Sequence, residues 1–188
     1  CQEQCGRLQE NVDEFLAASR LAAGKMKLVL KPARAEDIVA GALGELAPVL
    51  EKRGIRVQVF SESEQPLYCD SGWMRAAIAN ILKNSAESME EGGIIEIRHR
   101  VEGKRNILEL TDEGGGISED AGRHLFERFY TGRQGSGGTG LGLAIAREVV
   151  EACHGTIDAF SVSGEGKRKD GTRFRMKFRI LSGPETYG

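Results

Sequence analysis

The chain has 188 residues, 40% of them hydrophobic and 29% charged, with a formal net charge of −2 from 26 Lys+Arg against 28 Asp+Glu. That length suits one α/β domain with an appendage. A charge so near neutrality offers no global field for nucleic acid or an anionic membrane, so any anion must be held locally.

The first elements read as helices around short strands. Cys1, Cys5, Leu8, Val12 and Phe15 step by four, three, four and three, the heptad spacing of a narrow pairing seam, which a plain amphipathic surface helix satisfies equally well. Gly24 is a stop for it. Lys27 to Leu30 alternates weakly and reads as a short strand that Pro32 ends. Ala35 to Lys52 reads as a helix with Ile38, Ala42, Leu43, Leu46 and Leu50 on one face. Ile55 to Phe60 alternates as a strand, and Leu67 to Cys69 adds a shorter one. Asp70 or Ser71 caps a helix running to about Met89.

The second half is richer in strands. Ile94 to Val101 and Asn106 to Asp112 form two strands around the turn at Gly103. A Gly-rich stretch from Glu113 to Gly138 follows, with a short helix around Ala121 to Phe129. Leu141 to Cys153 is helical, and the last strands lie near Gly155 to Ser163 and Thr172 to Leu181, around a charged loop from Gly164 to Gly171 that is expected to be mobile. The predicted fold class is α/β: a two-layer sandwich of a mixed sheet and about three helices, with an N-terminal helical stub. The longest apolar runs, such as Leu141 to Ala146, are far short of a bilayer span. The four cysteines include no Cys-x-x-Cys pair and no histidine at zinc-ligand spacing, which points to a reduced, cytoplasmic setting.

Three segments carry chemistry. On the helix Ser71 to Met89, Met74, Ile78, Ile81, Leu82, Ser85 and Met89 share one face, while Asn80, Asn84 and Glu87 fall roughly opposite. Two asparagines one turn apart are a weak choice for a purely structural helix, although a solvated polar face explains them equally well. In the strand ending at Asp112, period-two geometry puts Leu108, Leu110 and Asp112 on one face, so the carboxylate is aimed at the core and needs donors to offset its desolvation. An incoming exocyclic amine would be one such donor. Gly114 and Gly116 follow it, where missing side chains would let the backbone approach a flat base; a plain aspartate turn is the bland alternative.

The third segment is Gly138-Thr139-Gly140-Leu141-Gly142-Leu143, directly before a helix. A Gly-rich helix start offers free N–H groups and the positive end of the dipole to a phosphate. Gly135 to Gly140 also fits the dinucleotide pattern Gly-x-Gly-x-x-Gly, but that reading needs a strand immediately before it, and Leu125 to Arg133 lacks the alternation.

Together these segments resemble the catalytic domain of sensor histidine kinases, in the superfamily that also holds gyrase, mismatch-repair and heat-shock ATPases. Asn80 to Ala86 resembles the N box, Asp112 to Ile117 the G1 box, Leu125 to Tyr130 the F box and Gly138 to Leu143 the G2 box. The resemblance divides the chain into the end of a dimerisation helix (1–25), an ATP-binding catalytic domain (26–182) and a tail (183–188).

The resemblance also implies site residues. Asn84 would offer its amide oxygen to Mg²⁺, with Asn80 beside the phosphates; Asp112 would bind the adenine amine, with Gly114, Gly116 and Ile117 around the base. Phe126, Tyr130 and Arg133 would serve from the F-box side, and Gly138, Thr139, Gly140, Leu141, Gly142 and Leu143 would cradle the phosphates. Residues from about Ser118 to Gly137 would form an ATP lid. ATP and Mg²⁺ are the implied cofactors; the implied partners are the protein's own dimerisation domain in a full-length homodimer and a response regulator, with no nucleic acid and no direct membrane contact.

Three departures stand out. Glu87 and Thr131 occupy positions where many relatives are basic, leaving Arg128 or Arg133 to substitute for the latter. None of His99, His124 or His154 is followed by an acidic residue as the family's acceptor histidine is. All three therefore read as structural, and the chain is expected to bind ATP without labelling itself. The alternatives are a serine kinase on the same nucleotide site, against which the heptad stub speaks, and a nucleotide-gated binding module without transfer activity, which Glu87 and Thr131 would suit.

Overall fold

A computed structural model of the chain describes residues 27–89, 92–131, 139–164 and 170–180. The heptad segment, Arg133, Gly138 and the middle of the loop after Gly164 lie outside these residues. In chain order the elements are β1 (Lys31–Ala33), α1 (Ala35–Lys52), β2 (Ile55–Ser61), β3 (Leu67–Cys69), α2 (Ser71–Ser88), β4 (Gly93–Glu102), β5 (Arg105–Thr111), α3 (Glu119–His124), α4 (Gly142–Ala152), β6 (Thr156–Val162) and β7 (Gly171–Arg179).

Five strands form one mixed sheet in the order β2-β4-β5-β7-β6, with β2 and β4 parallel and the other neighbours antiparallel. β1 and β3 pair separately. Alternation along the central strands sends Ile95, Ile97, Leu108, Leu110, Phe174 and Met176 to one face, each at most 1% exposed. There they join the apolar face of α2, where Met74, Ile78, Ile81 and Leu82 are fully buried. Removing such side chains from water stabilises the fold by about 1.5–3 kcal/mol each. α2 packs against both α1 and α4, making it the middle of the helical layer. The two-layer expectation is met.

Two element readings are corrected. The first strand is Lys31–Ala33 and contains Pro32 instead of ending before it. It belongs to an isolated two-stranded pair, so the missing N–H need not break an interior ladder. The short helix spans Glu119–His124 and not Ala121 to Phe129. Ser118 starts it early by accepting from the Ala121 amide at 3.1 Å, and the chain then turns through Phe129, which has φ 66°.

The outer face of the sheet is ionic. Glu109 sits between the guanidinium groups of Arg100 and Arg175 on the flanking strands. Burial pushes its carboxyl up, but the two arginines prevail and hold it below the usual range. At the core end away from Asp112, His99 Nε2 and Asn106 Oδ1 lie 3.2 Å apart, and Asn106 Nδ2 donates to the Pro66 carbonyl at 3.0 Å. His124 pairs with Glu127 at 2.9 Å, and His154 turns the chain after α4 with φ 57°. Cys69 and Cys153 are free and buried, and burial raises both thiols, Cys69 to about 12. Among the described residues no helix is long and apolar enough to cross a membrane.

Candidate functional site

Asp112 follows β5 and is 2% exposed, pointing into the layer between sheet and helices as its strand parity requires. Its Oδ1 accepts from two backbone amides, Gly114 at 3.0 Å and Thr172 at 3.0 Å. Its Oδ2 accepts from the Ser85 hydroxyl of α2 at 2.7 Å. Burial raises the carboxyl, and the Ser85, Gly114 and Thr172 hydrogen bonds oppose that. The adjoining carboxylate of Glu113 turns aside to accept from the Ile94 amide at 3.1 Å.

The glycines beside Asp112 have reasons inside the fold. A Cβ on Gly114 would stand 1.9 Å from Ser88 Oγ, which itself donates to the Ser85 carbonyl at 2.8 Å. One on Gly116, with φ 79°, would stand 2.9 Å from Ser161 Oγ. That hydroxyl clamps Ile117 from both sides, accepting from its amide at 2.9 Å and donating to its carbonyl at 2.7 Å. A Cβ on Gly171 would fall 1.6 Å from the Asp112 carbonyl oxygen. The absent side chains let α2, β6 and β7 close around the Asp112 loop, a constraint distinct from the close approach of a base.

The second half of the site lies back along α2, at Asn84 next to Ser85 and at Asn80 one turn before Asn84. Asn80 and Asn84 are half-buried, and no hydrogen bond ties either carboxamide to another described residue. A Cβ on Gly142 would be 3.5 Å from Asn80 Cγ and Oδ1, so the start of α4 abuts the Asn80 carboxamide. Leu141 and Leu143 are 2% and 8% exposed and belong to the core, so their side chains face away from any phosphate and only their backbone remains to offer. Leu141 N donates to Thr139 Oγ1 at 3.3 Å.

Gly140, with φ 68°, joins the F-box segment to this helix start. The Phe129 amide donates to its carbonyl at 2.9 Å, and a Cβ there would strike the Phe129 backbone at 2.6 Å. Phe126 is partly buried with the Arg147 guanidinium 5.9 Å from its ring, and Tyr130 lies 5.8 Å from the His124 ring. Arg128, one of two candidates for the missing basic contact, is engaged by Glu148 of α4 at 2.9 and 2.5 Å. Its charge is thus already matched.

Sequence reasoning placed Asn80, Asn84, Asp112 and the start of α4 around one space. It missed Ser85, Ser161, Gly171 and Thr172. Ser85 carried a signal, being a hydroxyl on the apolar face of α2, and so did Gly171, a glycine opening an alternating strand.

The model of the histidine kinase-, DNA gyrase B-, and HSP90-like ATPase family matches residues 69–181, which contain every element of this site. The chain belongs to that family. Its curated relatives narrow the type to the catalytic ATP-binding domain of a histidine kinase. Sporulation kinase D of Bacillus subtilis is 32% identical over 83% of this chain and 30% of that protein. The alginate biosynthesis sensor protein KinB of Pseudomonas aeruginosa is 30% identical over 88% of this chain and 28% of that protein. This histidine-kinase domain therefore spans under a third of those two relatives. Among solved structures, full-length ShkA in complex with AMPPNP matches with a TM-score of 0.77 at 25% identity, over 96% of this chain and 38% of that one. The histidine kinase AdeS of Acinetobacter baumannii matches with a TM-score of 0.76 at 22% identity, over 96% of this chain and 82% of that one, which supports the fold.

Proposed function

We propose that this domain binds Mg-ATP and transfers the γ-phosphoryl group to a histidine on a dimerisation domain outside the chain, for relay to a response regulator. Residues 1–25 supply the end of that domain's helix in a full-length homodimer on the cytoplasmic side. The observation that carries the reading is the meeting of the Asn80 carboxamide with the first turn of α4, while the same helix α2 presents Ser85 to the buried Asp112.

Asp112 accepts the adenine amine through its remaining oxygen lone pair, with Ile117 held beside the base by Ser161. The α4 N-terminus, opened by Gly140 and Gly142, faces the phosphates with free amides and the positive end of its dipole. Asn80 lies beside the phosphates, and Asn84 presents an uncommitted amide oxygen. That donor suits Mg²⁺, which prefers hard oxygen and retains water and phosphate ligands. When bound, the ion would neutralise charge on the phosphate oxygens. The F-box segment, tied through Phe129 to Gly140 and through Arg128 to Glu148, positions Tyr130 at the site's edge.

Asn80 also bears on reaction type. Hydrolysing members of the superfamily resembled here carry a glutamate there, and a carboxamide is a far poorer base, so water is weakly activated and the phosphoryl group is kept for a better nucleophile.

The test is incubation with γ-labelled ATP and Mg²⁺, with and without a dimerisation domain carrying its histidine. Acid-labile label on the added domain, lost with Asn84→Ala, supports the proposal. Tight ATP binding with no transfer would favour the nucleotide-gated module, to which the exposed Glu87 and Thr131 lend some weight.

A further inference from the structure

A carboxylate offers about four lone-pair positions, and three on Asp112 are taken by the protein. Gly114 and Thr172 amides fill Oδ1 from the loop and from β7, leaving a single acceptor position on Oδ2 beside the Ser85 hydroxyl. That position fits one N–H of an exocyclic amine. It is repelled by a purine bearing a carbonyl at the same carbon, because two acceptors would then face each other. If Asp112 took up a proton, the free position would become a donor and the preference would invert.

We propose that Ser85 is a positioning residue that sets purine selectivity: its hydroxyl keeps Asp112 an acceptor, and so fixes the pH below which the site stops choosing 6-amino over 6-oxo purines. This rests on the reading of Asp112 as the base-binding group. Ser85 is fully buried on α2 and reaches the nucleotide only through Asp112.

The surroundings leave the task to few groups. Facing Asp112 are Ser85 from α2, the backbone of Gly171 and Thr172 from β7, and the Gly114 amide of its own loop. Nearby on the same elements, Glu113 is turned to Ile94, Arg173 on the other face of β7 bonds Thr111 Oγ1 at 3.0 Å, and Glu87 on α2 is exposed. Among the described residues, no charged side chain bonds the Asp112 carboxylate. Burial raises it, and after burial the Ser85 hydroxyl is the largest influence and lowers it. Gly114 and Thr172 give backbone amides that no substitution short of a proline removes, so among the described donors Ser85 is the one that a side-chain change can delete.

ADP and IDP affinities measured from about pH 5 to pH 8 test this, by calorimetry on the whole chain, on Ser85→Ala and on Ser88→Ala. Ser88 bonds the Ser85 carbonyl and serves to separate local loosening from the effect on the carboxylate. A hydrogen bond to a charged group is worth enough to move the acid midpoint of ADP binding upward by about one pH unit in Ser85→Ala, or about tenfold in affinity on the acid side. The ADP/IDP ratio should collapse over the same displaced range, and Ser88→Ala should titrate as the parent does. Parallel profiles for Ser85→Ala and the parent, or an equal displacement in Ser88→Ala, overturn the inference while leaving the adenine site standing. Failure of the parent to bind ADP at any pH overturns both.

Discussion

Gly171 is the tightest packed glycine of the described site, and adding one methyl there probes how the strand β7 closes on Asp112. An alanine Cβ would lie 1.6 Å from the Asp112 carbonyl oxygen and 2.7 Å from its carbon. Ordinary contact begins near 3.4 Å, so β7 and the loop must part by roughly 1.8 Å (3.4 − 1.6). Three hydrogen bonds cross that seam: the Asp112 amide to the Thr172 carbonyl at 2.9 Å, the Thr172 amide to Asp112 Oδ1 at 3.0 Å and the Gly115 amide to the Asp170 carbonyl at 3.1 Å. Stretched so far, none remains a hydrogen bond. The bond to the carboxylate is worth about 1.5–3 kcal/mol and the other two about 1 kcal/mol each, so Gly171→Ala should cost on the order of 3–5 kcal/mol. For a chain of this size that lowers the melting temperature by about 10 °C. Gly44→Ala is the matched control, with no atom within 4 Å of its added Cβ and a helical backbone. It should raise stability by about 0.4–1 kcal/mol. Thermal melts of both variants, with ADP titrations of each, decide the matter. A Gly171→Ala protein that melts within about 2 °C of the parent and binds ADP equally well would refute the steric account.

Further outcomes follow from the same contacts. Burial leaves Asp112 easier to protonate in the fold than in the unfolded chain, so its charge costs stability as pH rises through the raised folded value. Asp112→Asn should therefore be as stable as the parent or more so at neutral pH in urea melts, yet lose ADP affinity by at least about tenfold. Glu109 has the opposite sign: its folded value is depressed by Arg100 and Arg175, so its contribution is present above the ordinary value of 4.5 and is lost as pH falls through the lower folded value. Glu109→Gln should cost about 1–3 kcal/mol at pH 7 and flatten the acid limb of stability, as read from melts across pH. Asn80→Glu should raise ATP hydrolysis by the domain while binding persists; unchanged or lower turnover with intact binding counts against the assigned place of Asn80 beside the phosphates.

The legible parts of the fold were those written in side-chain periodicity. α2 could be placed because its apolar face repeats over five turns and Asp70 accepts from both the Gly72 and Trp73 amides at its start. The inward aim of Asp112 needed only strand parity. What remained hidden depended on which elements approach each other. Thr172 lies sixty residues beyond Asp112, and Ser161 lies forty-four beyond Ile117, so neither contact leaves a local pattern. Leu141 belongs at once to a Gly-rich motif and to an apolar stripe with Ile145 and Val149: its side chain and that of Leu143 go to the core, and the backbone is what the motif leaves to a phosphate.

One helix carries both ends of the site, and that has a geometric consequence. Asn80 and Ser85 are five residues apart on α2, about 7.5 Å along its axis at 1.5 Å per residue. The base acceptor and the start of α4 are thus spaced by a single rigid element whose apolar face, the one that carries Ser85, is locked into the core by Ile78, Ile81 and Leu82. The two ends differ in how they are held. Asp112 is fixed by α2, β7 and its own loop at once, whereas the α4 start meets the F-box segment through the Phe129–Gly140 pairing and the Arg128–Glu148 ion pair, whose members are 38% and 27% exposed. A half-exposed ion pair is worth at most about 1 kcal/mol, so this end is the weaker join. Glu148→Gln should accordingly leave the adenine contribution to ADP binding intact and weaken only the additional affinity gained from the γ-phosphate. Comparison of ADP with a non-hydrolysable ATP analogue measures that difference, and equal losses for both nucleotides would show that the two ends are not mechanically separate.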